Sequence, residues 1–310
     1  MAEPATIDGF SAPAARAAPT WVSMQSGLLS AALAYVIWGL FPLYFHQLAQ
    51  VSALEIVLNR AVWSLLFLLG VLAWQQRWRW LAEVAREPRK LATFGASALL
   101  LSCNWLLYIY AVNSGRVIEA SLGYFINPLV NVLLGVVVLH ERPRPAQWGA
   151  LALACAGVLW LSWAAGTPPW ISLALAGSFG LYGLLKKIAP LGALEGLTLE
   201  NLLLAPLALA GLLWFSLHDG SLVHATPLTW AWLLLAGPLT AVPLLMFAYG
   251  AQRIPMVSLG LLQYLAPSLQ FMLGIWAFHE PLQPGRLTGF ALIWLALLLY
   301  SGETLWRRRA

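Results

Sequence analysis

PLVNVLLGVVVLHE, residues 128 to 141, and PSLQFMLGIWAFHE, residues 267 to 280, carry a proline, a glycine and a His-Glu pair at identical spacing, 139 positions apart. Upstream, Arg116 leads to Ser121-Leu122-Gly123 as Arg253 leads to Ser258-Leu259-Gly260, and Trp38-Gly39 has a counterpart in Tyr182-Gly183. The chain reads as an internal duplication. Each copy holds five long apolar segments, an odd number, so in a membrane the second copy enters with the opposite orientation.

A membrane is required by composition. Of 310 residues, 61% are hydrophobic and only 9% charged, and 17 are tryptophan. Roughly a quarter of a soluble chain is charged, and a smaller charged share could not keep such apolar runs dispersed in water. The net charge of +5 is spread between apolar blocks without the dense basic patch that nucleic acid demands. Cys103 and Cys155 both lie inside apolar runs, which excludes a disulfide framework and a zinc site on number and spacing.

A helix rises about 1.5 Å per residue, so a bilayer core of about 30 Å takes roughly 20 apolar residues. Segments at 27–46, 54–74, 92–113, 118–139, 146–165, 169–186, 196–217, 228–250, 255–278 and 286–305 satisfy this. The expected fold is therefore an all-α integral membrane protein, ten transmembrane helices arranged as two inverted five-helix repeats, 27–165 and 169–305. A disordered tail over 1–26 precedes them and a basic end, 306–310, follows. Gly166-Thr167-Pro168-Pro169 supplies the turn between the repeats. With the N-terminus in the cytoplasm, Arg16, Arg77, Arg79, Arg86, Arg89, Lys90, Arg142, Arg144, Lys186, Lys187, Arg253, Arg307, Arg308 and Arg309 fall on the cytoplasmic side. Only Arg116 and Arg286 fall outside, with Arg60 within a span. This positive-inside bias puts both termini in the cytoplasm. No loop is long enough to hold a soluble domain, so function lies among the helices.

Polar side chains are costly in a span unless they face protein or water, and their positions report the interior. On the third span Asn104 and Tyr108 share a face beside Trp105. On the fourth, Tyr124, Asn127, Pro128 and Asn131 cluster; on the ninth, Gln263, Pro267 and Gln270 repeat the design with Tyr264 adjacent. These amides also suit helix-to-helix hydrogen bonding, the competing reading of each one. As a group with the aromatic rings they describe a site for a polar or zwitterionic organic molecule with an aromatic part. Three charges lie within spans: Glu55, Arg60 and Glu200. The repeat sets Glu55 against Glu195 and Arg60 against Glu200, so opposite charges occupy equivalent places, where Arg60 could hold a carboxylate and Glu200 an amine or a proton. Glu55 and Glu200 are the acidic residues placed to take a proton within a span, and Glu55 equally suits a helix start.

His140-Glu141 and His279-Glu280 begin like a zinc HExxH motif, but Pro143 and Pro281 follow and no second histidine appears. No metal or cofactor is expected, and no GxSxG, GxGxxG or P-loop occurs. An inverted repeat around one central site implies alternating access. A passive channel and a membrane-embedded enzyme are the rival classes, and the second has no catalytic constellation behind it.

AALAYVIWGLFPLYF (31–45), NWLLYIYAVNSG (104–115) and EASLGYFINPLVNVLLG (119–135) resemble RarD-type members of the drug/metabolite transporter superfamily, with its two EamA-type repeats, over about residues 27–303. The resemblance implies ten helices, cytoplasmic termini, a central cavity, and a small-molecule substrate moved through the bilayer of a bacterial-type inner membrane. Members carry names tied to chloramphenicol sensitivity, and relatives in the superfamily export amino acids and other metabolites. With no nucleotide site in the sequence, transport would be facilitated, or coupled to a proton or counter-substrate. EamA repeats commonly close with Gly-Glu, and both copies here read His-Glu.

Overall fold

The computed structural model describes residues 21–76, 78–114, 117–165, 170–218, 220–222, 225–277, 279 and 284–306. The expected inter-repeat turn at 166–169, Arg116, Glu280 and the basic end beyond 306 lie outside these residues, as does most of the N-terminal tail. The protein is all-helical, with no strand among the described residues. In chain order the helices are α1 (Trp21–Gly39), α2 (Phe41–His46), α3 (Ala53–Gln75), α4 (Arg79–Ala85), α5 (Pro88–Asn113), α6 (Val117–Val137) and α7 (Pro145–Ala165). There follow α8 (Trp170–Ile188), α9 (Ala193–Leu217), α10 (Pro227–Ala251), α11 (Met256–Gln263), α12 (Leu265–Trp276) and α13 (Pro284–Trp306).

Eight stretches are long and apolar enough to cross a bilayer: Ser23–His46, Ala53–Gln75, Pro88–Ala111, Pro145–Trp163, Trp170–Ile188, Ala193–Leu217, Pro227–Ala251 and Met256–Trp276. The chain is a multi-pass membrane protein. The apolar parts of α6 and α13, Leu122–Val137 and Leu287–Glu303, are shorter. The first helix begins by Trp21, earlier than the expected boundary at 27 and inside the stretch read as tail.

Two expected spans are each built from two helices. Proline lacks an N–H, so Pro42 leaves the Trp38 carbonyl without its helical donor, and the chain breaks between α1 and α2. The side-chain amide of Gln270 on α12 fills that vacancy, donating to Trp38 O at 3.1 Å. Pro267 likewise cannot serve the Gln263 carbonyl, and the helix breaks at Tyr264 between α11 and α12.

Helix α3 packs against α9 and α10, and α1 against α10, α11 and α12. Helix α5 packs against α8 and α9, α6 against α8 and α11, and α7 against α13. The last pair approaches closely because a Cβ on Gly157 would stand 2.8 Å from the Gly289 carbonyl. At the centre, Tyr35, Trp38, Phe179, Tyr182 and Phe247 form one aromatic cluster, with Tyr182 stacked on Phe247 at 6.2 Å. Gly260 lets α11 lie on α6, since a Cβ there would meet Pro128 O at 2.6 Å.

Contacts between loops and helix ends fall into two sets. Ser52 N donates to Ser221 Oγ at 3.0 Å, and Gln50 Nε2 to Thr229 Oγ1 at 3.3 Å, joining the α2–α3 and α9–α10 connections. In the other set Glu141 meets Lys187 and the start of α11, Gln252 Nε2 donates to Leu191 O at 3.0 Å, and Arg144 pairs with Glu303 at 3.4 Å.

Candidate functional site

Arg60 is buried on α3 within an apolar span, where an arginine costs about 2.5–3.5 kcal/mol without compensation. No carboxylate pairs with it among the described residues. Its guanidinium instead lies over the Trp105 ring, 3.6 Å from Cζ to the ring centroid, so a cation–π contact replaces the missing anion. Nε has no hydrogen-bond partner, and the phenols of Tyr44, Tyr124 and Tyr182 are its electrostatic neighbours. Trp105 meets Tyr108 edge to face at 6.0 Å, and Tyr108 meets Tyr124 at 6.1 Å. Tyr124 keeps 38% of its surface accessible although it neighbours a buried cation. Part of the aromatic wall beside Arg60 is therefore accessible.

Two more residues of the same face of α6 follow Tyr124. Asn127 and Asn131 are buried, and the Oδ1 of each lacks a hydrogen-bond partner. Asn131 Nδ2 donates to Gln263 Oε1 at 2.7 Å, which ties α6 to α11. Arg60, Trp105, Tyr108, Tyr124, Asn127, Asn131 and Gln263 thus form a connected polar and aromatic band across α3, α5, α6 and α11.

Other expected residues serve elsewhere. Asn104 Nδ2 donates to Leu175 O and Ser178 Oγ, both at 2.9 Å, and braces α5 on α8. Gln270 caps the Trp38 carbonyl. Tyr264 is buried in an apolar cluster with Leu122, Ile126, Ala154 and Ile293, because the break at the α11–α12 junction turns its ring toward α6, α7 and α13. Glu55 sits in the first turn of α3, which Ser52 caps: the Glu55 N–H donates to Ser52 Oγ at 3.3 Å and Ser52 Oγ donates to Glu55 Oε2 at 2.7 Å. The same carboxylate accepts from Ser221 N at 3.2 Å, from Ser221 Oγ, and from Leu222 N at 3.3 Å. Of its two readings, the helix-start role is the one this geometry matches.

Glu200 is paired, and the partner is Lys186, a residue counted on the cytoplasmic side. Lys186 is 2% exposed, and its Nζ lies 2.7 Å from Glu200 Oε1, which also accepts from Ser97 Oγ at 2.6 Å. It is buried because Phe179, Tyr182, Gly183 and Lys186 share one face of α8, and that face is turned inward. That periodicity was the signal available for Lys186, and the neighbouring Lys187 at the helix end masked it.

His140 and His279 have φ of 53° and 54°. Both occupy the left-handed region that glycine adopts freely, so the histidines stand where a Gly-Glu ending places glycine for backbone reasons. Glu141 then turns its carboxylate onto the start of α11, accepting from Met256 N at 2.8 Å and Val257 N at 3.0 Å, with Lys187 Nζ at 3.7 Å.

Residues 25–163 match the EamA-like transporter family. An uncharacterised transporter of Pseudomonas aeruginosa is 48% identical over 92% of this chain and 96% of its own. The RarD protein of Streptomyces exfoliatus is 46% identical over 91% of this chain and 90% of its own, and that of Escherichia coli 40% identical over 92% and 97%. A solved crystal structure shares the fold at a TM-score of 0.70, covering 88% of this chain and 96% of that one at 20% identity. The fold and these relatives define a membrane transporter. The chain belongs to the EamA-like family as a RarD-type member of the drug/metabolite transporter superfamily.

Proposed function

We propose that the chain is a secondary transporter that moves a small polar or zwitterionic organic metabolite or drug across the inner membrane by alternating access, in the direction of export. The observation that carries this reading is Arg60, a buried cation held on Trp105 without a carboxylate among the described residues, beside an accessible aromatic wall. Such a cation is a receptor for a carboxylate or similar anion, and Tyr108 and Tyr124 receive an aromatic group. Asn127 and Asn131 offer free carbonyl oxygens to its donors, while Asn104, Gln263, Gln270 and Tyr264 hold the helices in register around it.

The reading takes α1–α2, α3, α5, α6, α7, α8, α9, α10, α11–α12 and α13 as ten crossings in two inverted repeats, 27–165 and 169–305. Packing supports it. Exchanging each helix for its repeat counterpart turns the α6–α8 contact into α1 with α11–α12, α3–α10 into α5–α9, and α1–α10 into α5–α8, all of which occur. The two loop sets support it as well, because ten alternating crossings with cytoplasmic termini bring every member of one set to the outer side and every member of the other to the cytoplasmic side. Transport is then facilitated or coupled to a proton or counter-substrate. A Pseudomonas aeruginosa relative, 34% identical, bears the name chloramphenicol-sensitive protein RarD, which places antibiotics beside amino acids and their analogues among compounds to try.

The test is a thermal-stability screen of purified wild type and Arg60→Gln against those compounds, followed by flux into proteoliposomes. A compound that stabilises wild type, fails to stabilise Arg60→Gln and shows saturable flux supports the reading. Equal stabilisation of both proteins removes Arg60 from the site, and a continuous open conductance makes the chain a channel.

A further inference from the structure

A buried ion pair gains a protein little, because desolvating two charges consumes most of their attraction, and well-packed apolar residues would hold two helices as firmly. Lys186 and Glu200 nevertheless touch at 2.7 Å inside the helix bundle, at 2% and 1% exposure. Their polar valences are only half used. Ser97 and Lys186 both engage Oε1 of Glu200, while Oε2 has no hydrogen-bond partner. Among the described residues Lys186 Nζ has no partner besides Glu200 Oε1, which leaves donors of its ammonium unused, and the Tyr182 hydroxyl stands beside the carboxylate. A carboxylate oxygen, an ammonium and a phenol with unused hydrogen-bonding capacity therefore lie together.

The pair lies against the central aromatic cluster. The Tyr182 phenol has both Glu200 and Arg60 as electrostatic neighbours, and Lys186 Nζ stands 5.4 Å from the Tyr182 ring and 5.7 Å from that of Phe94. Those two rings give the ammonium a place to rest when the carboxylate is engaged elsewhere.

We infer that Lys186 and Glu200 form the polar half of the substrate site, a template for a zwitterion whose ammonium and anionic groups stand on neighbouring atoms. The inference deepens the transport reading above and rests on it, with the anionic group moved from Arg60 to Lys186 and Arg60 left to face the ligand's aromatic ring as it faces Trp105. The ligand's ammonium binds Glu200 Oε2 and its anionic group binds Lys186 Nζ, so the two protein charges remain neutralised, each by the opposite end of one ligand. Four charges then alternate in sign and no net charge is added to the bilayer interior. A ligand carrying only one of the two groups leaves the other protein ion without its complement, which selects for the zwitterion. In the empty carrier Lys186 stands in for the ligand's ammonium.

Phenylalanine, phenethylamine and hydrocinnamate share a phenyl ring and carry both charges, the cation alone and the anion alone. Their binding to purified full-length protein is to be measured by thermal stabilisation and titration. Wild type is expected to favour phenylalanine over each of the others by about ten- to hundredfold. Glu200→Gln should shift the preference to hydrocinnamate and Lys186→Met to phenethylamine. The double variant Lys186→Met with Glu200→Gln carries no unpaired ion, which protects the test from a folding failure of either single variant, and it should rank the three alike. The inference is overturned if wild type does not prefer phenylalanine, or if the double variant keeps the wild-type ranking. Arg60→Gln separates the two claims. Weaker binding of every probe in that variant, with an unchanged ranking in the Lys186 and Glu200 variants, sinks the template and leaves the Arg60 site standing.

Discussion

Glu141 accepts the backbone N–H of Met256 at 2.8 Å across 115 residues of sequence, and so fastens the end of α6 to the start of α11. The first N–H groups of a helix have no partner within it, and a carboxylate there satisfies them and complements the helix dipole. Glu141→Ala is expected to lower stability by about 1–2 kcal/mol, in the range of losing a side-chain cap. Glu141→Gln, which keeps one acceptor oxygen, should fall between. Melting of the detergent-purified variants measures this, and a Glu141→Ala melt at the wild-type temperature would dismiss the cap.

His140 and His279 are exposed and hold φ near 53°. Little packing is lost on truncating either one, and a non-glycine residue in this region carries about 1–3 kcal/mol of strain. Each of His140→Gly and His279→Gly should therefore stabilise the protein, by about 1 kcal/mol. A fall in melting temperature in both would show that the imidazoles contribute more than their backbone costs.

Helix positions were legible in the sequence because apolar length and flanking turn residues act locally: α9 was expected from 196 to 217 and runs Ala193–Leu217. The breaks at Leu40 and Tyr264 were not, since a proline in a span can kink a helix or split it depending on which neighbour answers the freed carbonyl. Arg60, Trp105 and Tyr124 were legible as interior residues, for a charge or amide in a span has few other places to go. Sorting site from brace was not, because Asn104 and Asn131 are chemically identical and differ only in what α8 and α11 bring to them. Lys186 escaped for a related reason: a lysine at a helix end reads as interfacial until Glu200 and Ser97 arrive from two other helices.

The Gln270 bond to Trp38 O gives a coupled prediction. Gln270→Leu should cost about 0.6–1.7 kcal/mol, the range for polar contacts between membrane helices. Pro42→Ala returns an N–H to the same carbonyl, so in that background Gln270→Leu should cost markedly less. The double-mutant cycle reads the difference directly. Purely additive effects would mean that the amide and the proline do not share the carbonyl.

Accessibility separates the aromatic wall from the braces. Tyr124 keeps 38% of its surface open, whereas Asn104, Asn127 and Gln263 are 7%, 2% and 6% exposed. Cysteines at these four positions, in a background with the exposed Cys103 and the partly buried Cys155 replaced by serine, should react with a small polar thiol reagent at different rates. Position 124 should react fastest and positions 104, 127 and 263 slowly, since all three are buried and the amides of 104 and 263 are committed to Leu175, Ser178 and Asn131. A bound ligand should protect position 124 and leave the rate at 104 unchanged, because the first belongs to the accessible wall beside Arg60 and the second faces α8. Equal rates at 104 and 124, or protection at 104 alone, would move the proposed site from the Arg60 side of α5 to the α8 side and take the aromatic wall out of it.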